Sequence, residues 1–297
     1  MLTHERYAEI FEGNVDLTRA WKWDGTGADW VRTLSQLRRL ELDCAVDLSG
    51  ARYWLLRPWT VRASGASMRI GFAGAANALT HTQPPPTHTR HYVVERVGLL
   101  QHIGVHGAAT GSIALDEELR TGAARELARH QLAPGKFVVL LPGARTFHKR
   151  WPPSYYAALA ARLRRDGTPV LLLGHPADEP YLRAVNRALD DSLPHLLIPS
   201  LRRLAAVLHE SRCVVATDTG LKHLAAAAGA RVIALHGHSD PVQWGPWGAG
   251  HHVHYGRLAC QPCHDHERCP LGTVACLAAI SPAAVFDTIA QMPVNGS

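Results

Sequence analysis

The sequence predicts an α/β protein of two domains, the second of them Rossmann-like. Three observations carry that expectation. From residue 134 onward, short apolar runs alternate strictly with helical patterns, which implies a parallel sheet covered on both faces, with right-handed crossovers. At 297 residues the chain is long enough for two domains of ordinary size. Its apolar fraction of 46% is that of a folded soluble protein, and it contains no run of 18 apolar residues that would cross a membrane.

The N-terminal elements are the less regular. The opening "MLTHERYAEIFEGN" is polar and reads as helical, without the apolar core of a secretory signal, so the expected compartment is the cytoplasm. Helical spacing predicts helices over 27–41, 52–64 and 91–105, and apolar runs predict strands over 42–50 and 67–74. The prolines of "HTQPPPTHTR" (81–90) make that stretch a loop. Residues 104–136 form a connector with a helix near 116–130.

The second half is more regular. Strands are predicted at 137–143, 169–175, 195–199, 213–218 and 231–237. Helices are predicted at 153–167, 177–191, 200–211 with Ser200 as N-cap, and 220–229. A last helix at 280–291 takes Ser281 as N-cap and Pro282 at its first position. The domain boundaries follow: 1–132, 133–280, and a terminal helical segment 281–297.

Lys and Arg outnumber Asp and Glu by 31 to 25, giving a net charge of +6. Such an excess suits a solvated surface and also permits an anionic partner. No nucleic-acid-binding motif is present. Cys44 and Cys213 lie in apolar runs and read as inert core residues. The other four, Cys260, Cys263, Cys269 and Cys276, crowd into 17 residues. In a cytosolic chain that points to a structural zinc or iron on four thiolates before disulfides, with His264 and His266 as spare ligands; the alternative is a reduced loop.

Ligands of open α/β sheets bind beyond the carboxyl ends of the strands, where three loops are candidates. In "LPGARTFHKRW" (141–151), Gly143 allows a tight turn, and Lys149 and Arg150 place cations beside it. That suits a phosphate or a solvated basic loop, and the Walker spacing is absent. In "LLGHPADEP" (172–180), Glu179 suits the start of a helix, or a ribose hydroxyl. In "ATDTGLKHLAAAAG", Asp218 ends a strand and can cap the next helix, while Thr219 and Gly220 offer N–H groups at its positive end. A diphosphate fits there, and the carboxylate suits sugar hydroxyls, so a nucleotide sugar is the better match. His223, one turn in, faces either that ligand or the core.

Taken in order, "PGARTFHKRWPPSYYAALAARL", "DTGLKHLAAAAGARVIALHGHSDPVQWGP" and "CQPCHDHERCPLGTVACLAAISPAAV" resemble the heptosyltransferases of glycosyltransferase family 9. The last stretch looks most like the members that add the second heptose of the lipopolysaccharide core. The resemblance implies a GT-B fold, two Rossmann-like domains facing a cleft, with the terminal helix of 281–297 returning to the first domain. It implies an inverting transfer of heptose from ADP-heptose to lipid A carrying Kdo or a first heptose, beside the inner membrane. No metal is implied for the chemistry. Lys149 would contact the diphosphate, Asp218 the heptose hydroxyls, and Thr219, Gly220 and His223 the phosphates.

The family opens with a strand, a Gly-Asp loop and a helix, and the Asp of that loop is the expected general base. Nothing here matches it, so about 40 residues, one βα unit and the next strand, look absent and the N-terminal domain incomplete. The catalytic base is therefore unassigned; Asp47, at the end of "CAVD", either faces the cleft or caps a turn. Two other readings follow: a homologue that binds the donor with little or no transfer, and a GT-B enzyme using another nucleotide sugar.

Overall fold

The structure, a computed structural model, describes all residues except 25, 49–56, 74–77, 85–88, 108, 190–192, 264–268, 270 and 294–297. Residues 52–56 of the helix expected over 52–64, and the spare ligands His264 and His266, lie outside the described residues. Contacts divide the chain into two units, Met1–Ala8 with Val15–Thr110, and Glu9–Asn14 with Gly111–Ser297.

In the first unit, β1 (Leu2–His4) runs into the short α1 (Glu5–Ala8) and pairs in parallel with β2 (Trp21–Trp23). The opening is thus only partly helical. Its strand escapes a periodicity reading because β1 is three residues long and half-buried. His4 meets Trp23 and Trp23 meets Trp30 edge to face, at 5.9 and 5.3 Å between ring centroids, which ties β2 to α2 (Gly27–Arg38). Next come β3 (Cys44–Val46), α3 (Arg57–Ala63), β4 (Met68–Phe72), β5 (His81–Gln83) and α4 (Tyr92–Leu99). The three strands form a parallel sheet in the order β3-β4-β5, with Ile70, Phe72 and Leu99 buried on it and Cys44 half-buried beside them. The expected loop at 81–90 therefore begins as an edge strand: Pro84 ends the ladder but does not prevent residues 81–83 from pairing.

The second unit is a doubly wound domain. Its elements are α5 (Glu117–Arg129), β6 (Val138–Leu141), α6 (Pro153–Arg165), β7 (Val170–Gly174), α7 (Glu179–Arg187), β8 (His195–Leu197) and α8 (Leu201–His209). They continue with β9 (Cys213–Thr217), α9 (Gly220–Ala227), β10 (Val232–His236), α10 (Pro241–Trp244), β11 (His252–Tyr255), α11 (Ala275–Ala278) and α12 (Pro282–Gln291). Six parallel strands lie in the order β11-β10-β9-β6-β7-β8. Strands β6, β7, β9 and β10 are buried along their whole length, as their uninterrupted apolar runs require. One face packs Leu127, Leu204 and Ala225 of α5, α8 and α9; the other packs Tyr156, Leu182, Leu277 and Val285 of α6, α7, α11 and α12. The edge strand β11, "HVHY", carries no apolar run and was not expected.

Two boundaries differ from the sequence reading. Helix α5 and the segment Glu9–Asn14 belong to the second unit. Helix α5 buries Ala123 and Leu127 in the core it shares with α8, and the Glu9 carboxylate accepts the Ser200 hydroxyl (2.7 Å) and the Leu201 N–H (2.8 Å) at the start of α8. Helix α12, expected to return to the first domain, packs on α6 within the second unit. Buried Arg212 donates to the carbonyls of Ile289 and Met292, both at 2.9 Å, and Arg231 donates to that of Pro293, so the helix end is held where its last carbonyls find donors.

Among the described residues no helix is long and apolar enough to cross a membrane. Leu140 is fully buried on the central strand β6. Leu140→Ala is expected to lower unfolding free energy by about 2–5 kcal/mol in urea titrations without changing the m-value.

Candidate functional site

The strand order reverses between β6 and β9. The helices that follow these two strands, α6 and α9, leave to opposite faces of the sheet, which opens a crevice at their carboxyl ends. The first and third candidate loops both begin there.

The loop after β6 is shaped by close approach, not by a tight turn at Gly143. A Cβ on Gly143 would fall 2.2 Å from the Asp178 carboxyl group, so only glycine fits. Asp178 accepts the His175 N–H at 3.0 Å, and its burial raises its carboxyl above the usual range against the pull of His175 and Arg150. Asp178, not Glu179, is thus the inward carboxylate of the second loop. Glu179 is half-buried, its side chain 43% exposed, and pairs with Arg183 at 2.6 Å, the spacing of a surface helix pair. The sequence signal for Asp178 was its place three residues after His175, where the two close a capping box.

Beyond Gly143 a single 3-10 turn, Phe147–Lys149, presents the two expected cations differently. Arg150 is committed to the loop: its guanidinium donates to the carbonyls of Ala144 (3.0 Å) and Arg145 (3.3 Å) and stacks on Tyr181 at 4.0 Å. Lys149, its side chain 30% exposed, reaches across the crevice to Asp218 Oδ2 at 3.2 Å.

Asp218 follows β9 and is buried, but it does not cap α9. The N-cap is Thr219, which makes no side-chain capping bond. The Asp218 carboxylate is instead taken by two lysines, Lys149 on Oδ2 and Lys222 on Oδ1 at 2.6 Å. Burial alone would raise its pKa, but the two ammonium groups outweigh it and hold the carboxyl well below the usual carboxylate range. Gly220 is exposed, and nothing beyond its chain neighbours and its own helix backbone stands within 4 Å of where its Cβ would be, so the first turn of α9 has open space at that position. His223 is half-buried on α9, outside the packed core.

Lys222 was missed in the sequence. It is 0% exposed, and its ammonium donates to Asp218 Oδ1, to His236 Nε2 at 3.1 Å and to the Trp244 carbonyl. The signal was available: Asp218 and Lys222 are four residues apart at a helix start, in a helix otherwise apolar enough to bury. Since an ammonium accepts nothing, His236 must accept at Nε2 and carry its proton on Nδ1, where Ser239 Oγ lies at 3.1 Å. Burial and the Lys222 charge push His236 down to about 3.

The cysteine cluster forms a separate centre. Cys260, Cys263, Cys269 and Cys276 line one small cavity together with His148 and His238, whose rings meet edge to face at 5.0 Å. His148 is buried and its Nε2 has no hydrogen-bond partner. Burial and the neighbouring thiols raise Cys263 and Cys276, and all six cysteines are free of disulfides. Among the described residues no three His, Cys, Asp or Glu side chains are already drawn together as metal ligands. Cys213 is core, pushed up to about 12 by burial. Asp47 stands half-buried after β3, its N–H extending the ladder to Ile70.

Residues 30–274 match the sequence profile of Glycosyltransferase family 9 (heptosyltransferase). The chain is 31% identical over 245 residues to lipopolysaccharide heptosyltransferase 1 of Pseudomonas aeruginosa, a match that covers 79% of this chain and 65% of that relative. The chain thus spans less than two thirds of that relative's length. Among solved structures, a family 9 glycosyltransferase from Veillonella parvula aligns with a TM-score of 0.81 at 18% identity, covering 98% of this chain and 86% of that one. The Escherichia coli ADP-heptose lipopolysaccharide heptosyltransferase II aligns with a TM-score of 0.76 at 19% identity, covering 98% and 88%. These two likenesses establish the fold, the GT-B class of α/β architecture.

His236 gives the fold a pH signature. It titrates at about 3 when folded, against an ordinary value of 6.5, so between these values the unfolded chain binds the extra proton. Its contribution is complete above pH 6.5 and is lost as pH falls, at up to about 1.4 kcal/mol per pH unit. Urea titrations at pH 7, 6 and 5 are expected to show this decline, and His236→Gln, which still accepts from Lys222, is expected to flatten it by that share.

Proposed function

The chain belongs to glycosyltransferase family 9, and from that premise we propose that it transfers heptose from ADP-heptose to the inner core of lipopolysaccharide, with inversion at the anomeric carbon. The observation that carries the reading is the meeting of Lys149, Asp218 and the open N-terminus of α9 at the β6/β9 crevice. There Lys149 and the N–H groups of Thr219 and Gly220 receive the ADP diphosphate. Asp218 accepts hydroxyls of the heptose, and His223 lies beside the phosphates. An acceptor hydroxyl on lipid A carrying Kdo or heptose attacks the anomeric carbon as the bond to the diphosphate oxygen breaks; its proton leaves to solvent, since no base is assigned among the described residues. The charge that develops on departing ADP is met by Lys149 and the α9 dipole, which take the part a metal plays in other transferases. The work is done in the cytoplasm against the inner face of the inner membrane, where the acceptor lipid resides. Glu179, turned to Arg183, is left outside this assignment.

The four cysteines hold a structural zinc or iron in the same reading. The donor set suits tetrahedral thiolate coordination, and buried His148, whose Nε2 has no hydrogen-bond partner, lines the same cavity. The metal would pin the segment after β11 and takes no part in transfer.

Calorimetric titration with ADP-heptose is expected to show binding, with UDP-GlcNAc as a silent control. Lys149→Ala is expected to weaken it roughly 10–100-fold, the loss of one charge-assisted contact. Binding without transfer to the acceptor would favour a donor-binding homologue, whereas preference for UDP-GlcNAc would move the chain to another nucleotide sugar. Elemental analysis is expected to find one zinc or iron per chain, lost in Cys260→Ser/Cys263→Ser. A metal-free chain in reducing buffer would reduce the cluster to a thiol-rich loop.

A further inference from the structure

We propose that Lys222 is a positioning residue for the donor site: its buried ammonium neutralises Asp218 from behind, so that Lys149 keeps a positive charge for an incoming diphosphate. The inference rests on the nucleoside-diphosphate donor proposed above.

Burying an ammonium costs stability that an apolar side chain of the same length would not. Lys222 is nonetheless 0% exposed in a helix whose neighbouring positions are Leu221, His223, Leu224 and a run of alanines. Its three N–H groups meet three acceptors, Asp218 Oδ1, His236 Nε2 and the Trp244 carbonyl. The ammonium is therefore saturated within the protein and has no donor left for a ligand. It acts only through Asp218.

Its effect is on charge. Lys149, Lys222 and Asp218 form one contiguous group of two ammonium ions and one carboxylate, with His236 neutral beside them. The group carries one net positive charge, and the partly exposed member is Lys149. Without Lys222, Asp218 and Lys149 would cancel, both carboxylate oxygens would be free to turn to Lys149, and a diphosphate would meet a neutral pair. Arg150 cannot replace the lost charge, because it is fixed on the Ala144 and Arg145 carbonyls and on Tyr181. Lys222 also holds Oδ1 in place, which leaves the carboxylate in one orientation.

The test is titration of ADP into the full chain, the Lys222→Met variant and the Lys222→Met/Asp218→Asn double variant at one ionic strength, each with a thermal melt. ADP carries no sugar, so it does not need the Asp218 contact to hydroxyls. Lys222→Met is expected to bind ADP roughly tenfold more weakly, and the double variant, again one positive charge, to recover to within about threefold of the native chain. A purely structural role for Lys222 predicts no such recovery. Native affinity in Lys222→Met, or a double variant as weak as the single, would overturn the proposal. If Lys222→Met shows no melting transition, the double variant, which buries no charge, carries the test: native-like affinity supports the proposal and loss of affinity overturns it. A native chain that does not bind ADP would overturn the donor reading itself, a failure visible before any variant is compared.

Discussion

The candidate site depends on the pairing of β6 with β9. These two strands are far apart in sequence but adjacent in the sheet, and their adjacency is where the winding reverses. It brings the loop that carries Lys149 and the turn that carries Asp218 to the same edge, 69 positions apart in the chain and 3.2 Å apart in space. The ladder runs from Val138 beside Cys213 to Leu141 beside Ala216, all fully buried, so the two strands end level and their loops leave the sheet side by side.

On that frame the chain places an electrostatic arrangement that is expensive for folding. Asp218 and Lys222 are both buried, and their mutual attraction offsets a desolvation cost that apolar residues would avoid. Neutral His236 completes the set by accepting an N–H of the ammonium at Nε2 and donating its Nδ1–H to Ser239 Oγ. Each member would be a destabilising orphan without the others. Such networks fix one geometry, and here the geometry leaves the partly exposed charge on Lys149 and the N-terminus of α9 without a side-chain cap. The uncapped end is consistent with a site that a ligand's anion completes.

The two correctives at the unit boundaries have one cause. Segments assigned by position along the chain are held by caps supplied from elsewhere: Glu9 at the start of α8, Arg212 and Arg231 at the end of α12. A helix end must find partners for its backbone groups, and those partners were long-range contacts that no local pattern announces.

Local physics was enough to read the second unit from the sequence. Alternating apolar runs and helical spacing specify buried strands and amphipathic helices, because a parallel sheet covered on both faces leaves its strands no polar positions. For the same reason the part-buried strands β1, β2 and β11, only three or four residues long and each interrupted by a polar residue, were not legible. Lys149, Asp218, Thr219 and Gly220 could be named as candidates because Gly-bearing turns at strand ends have a recognisable composition. What Gly143 accommodates, which of Asp178 and Glu179 points inward, and the burial of Lys222 were decided by tertiary structure alone. Each depends on distances between groups that only the packed sheet and its flanking helices bring together.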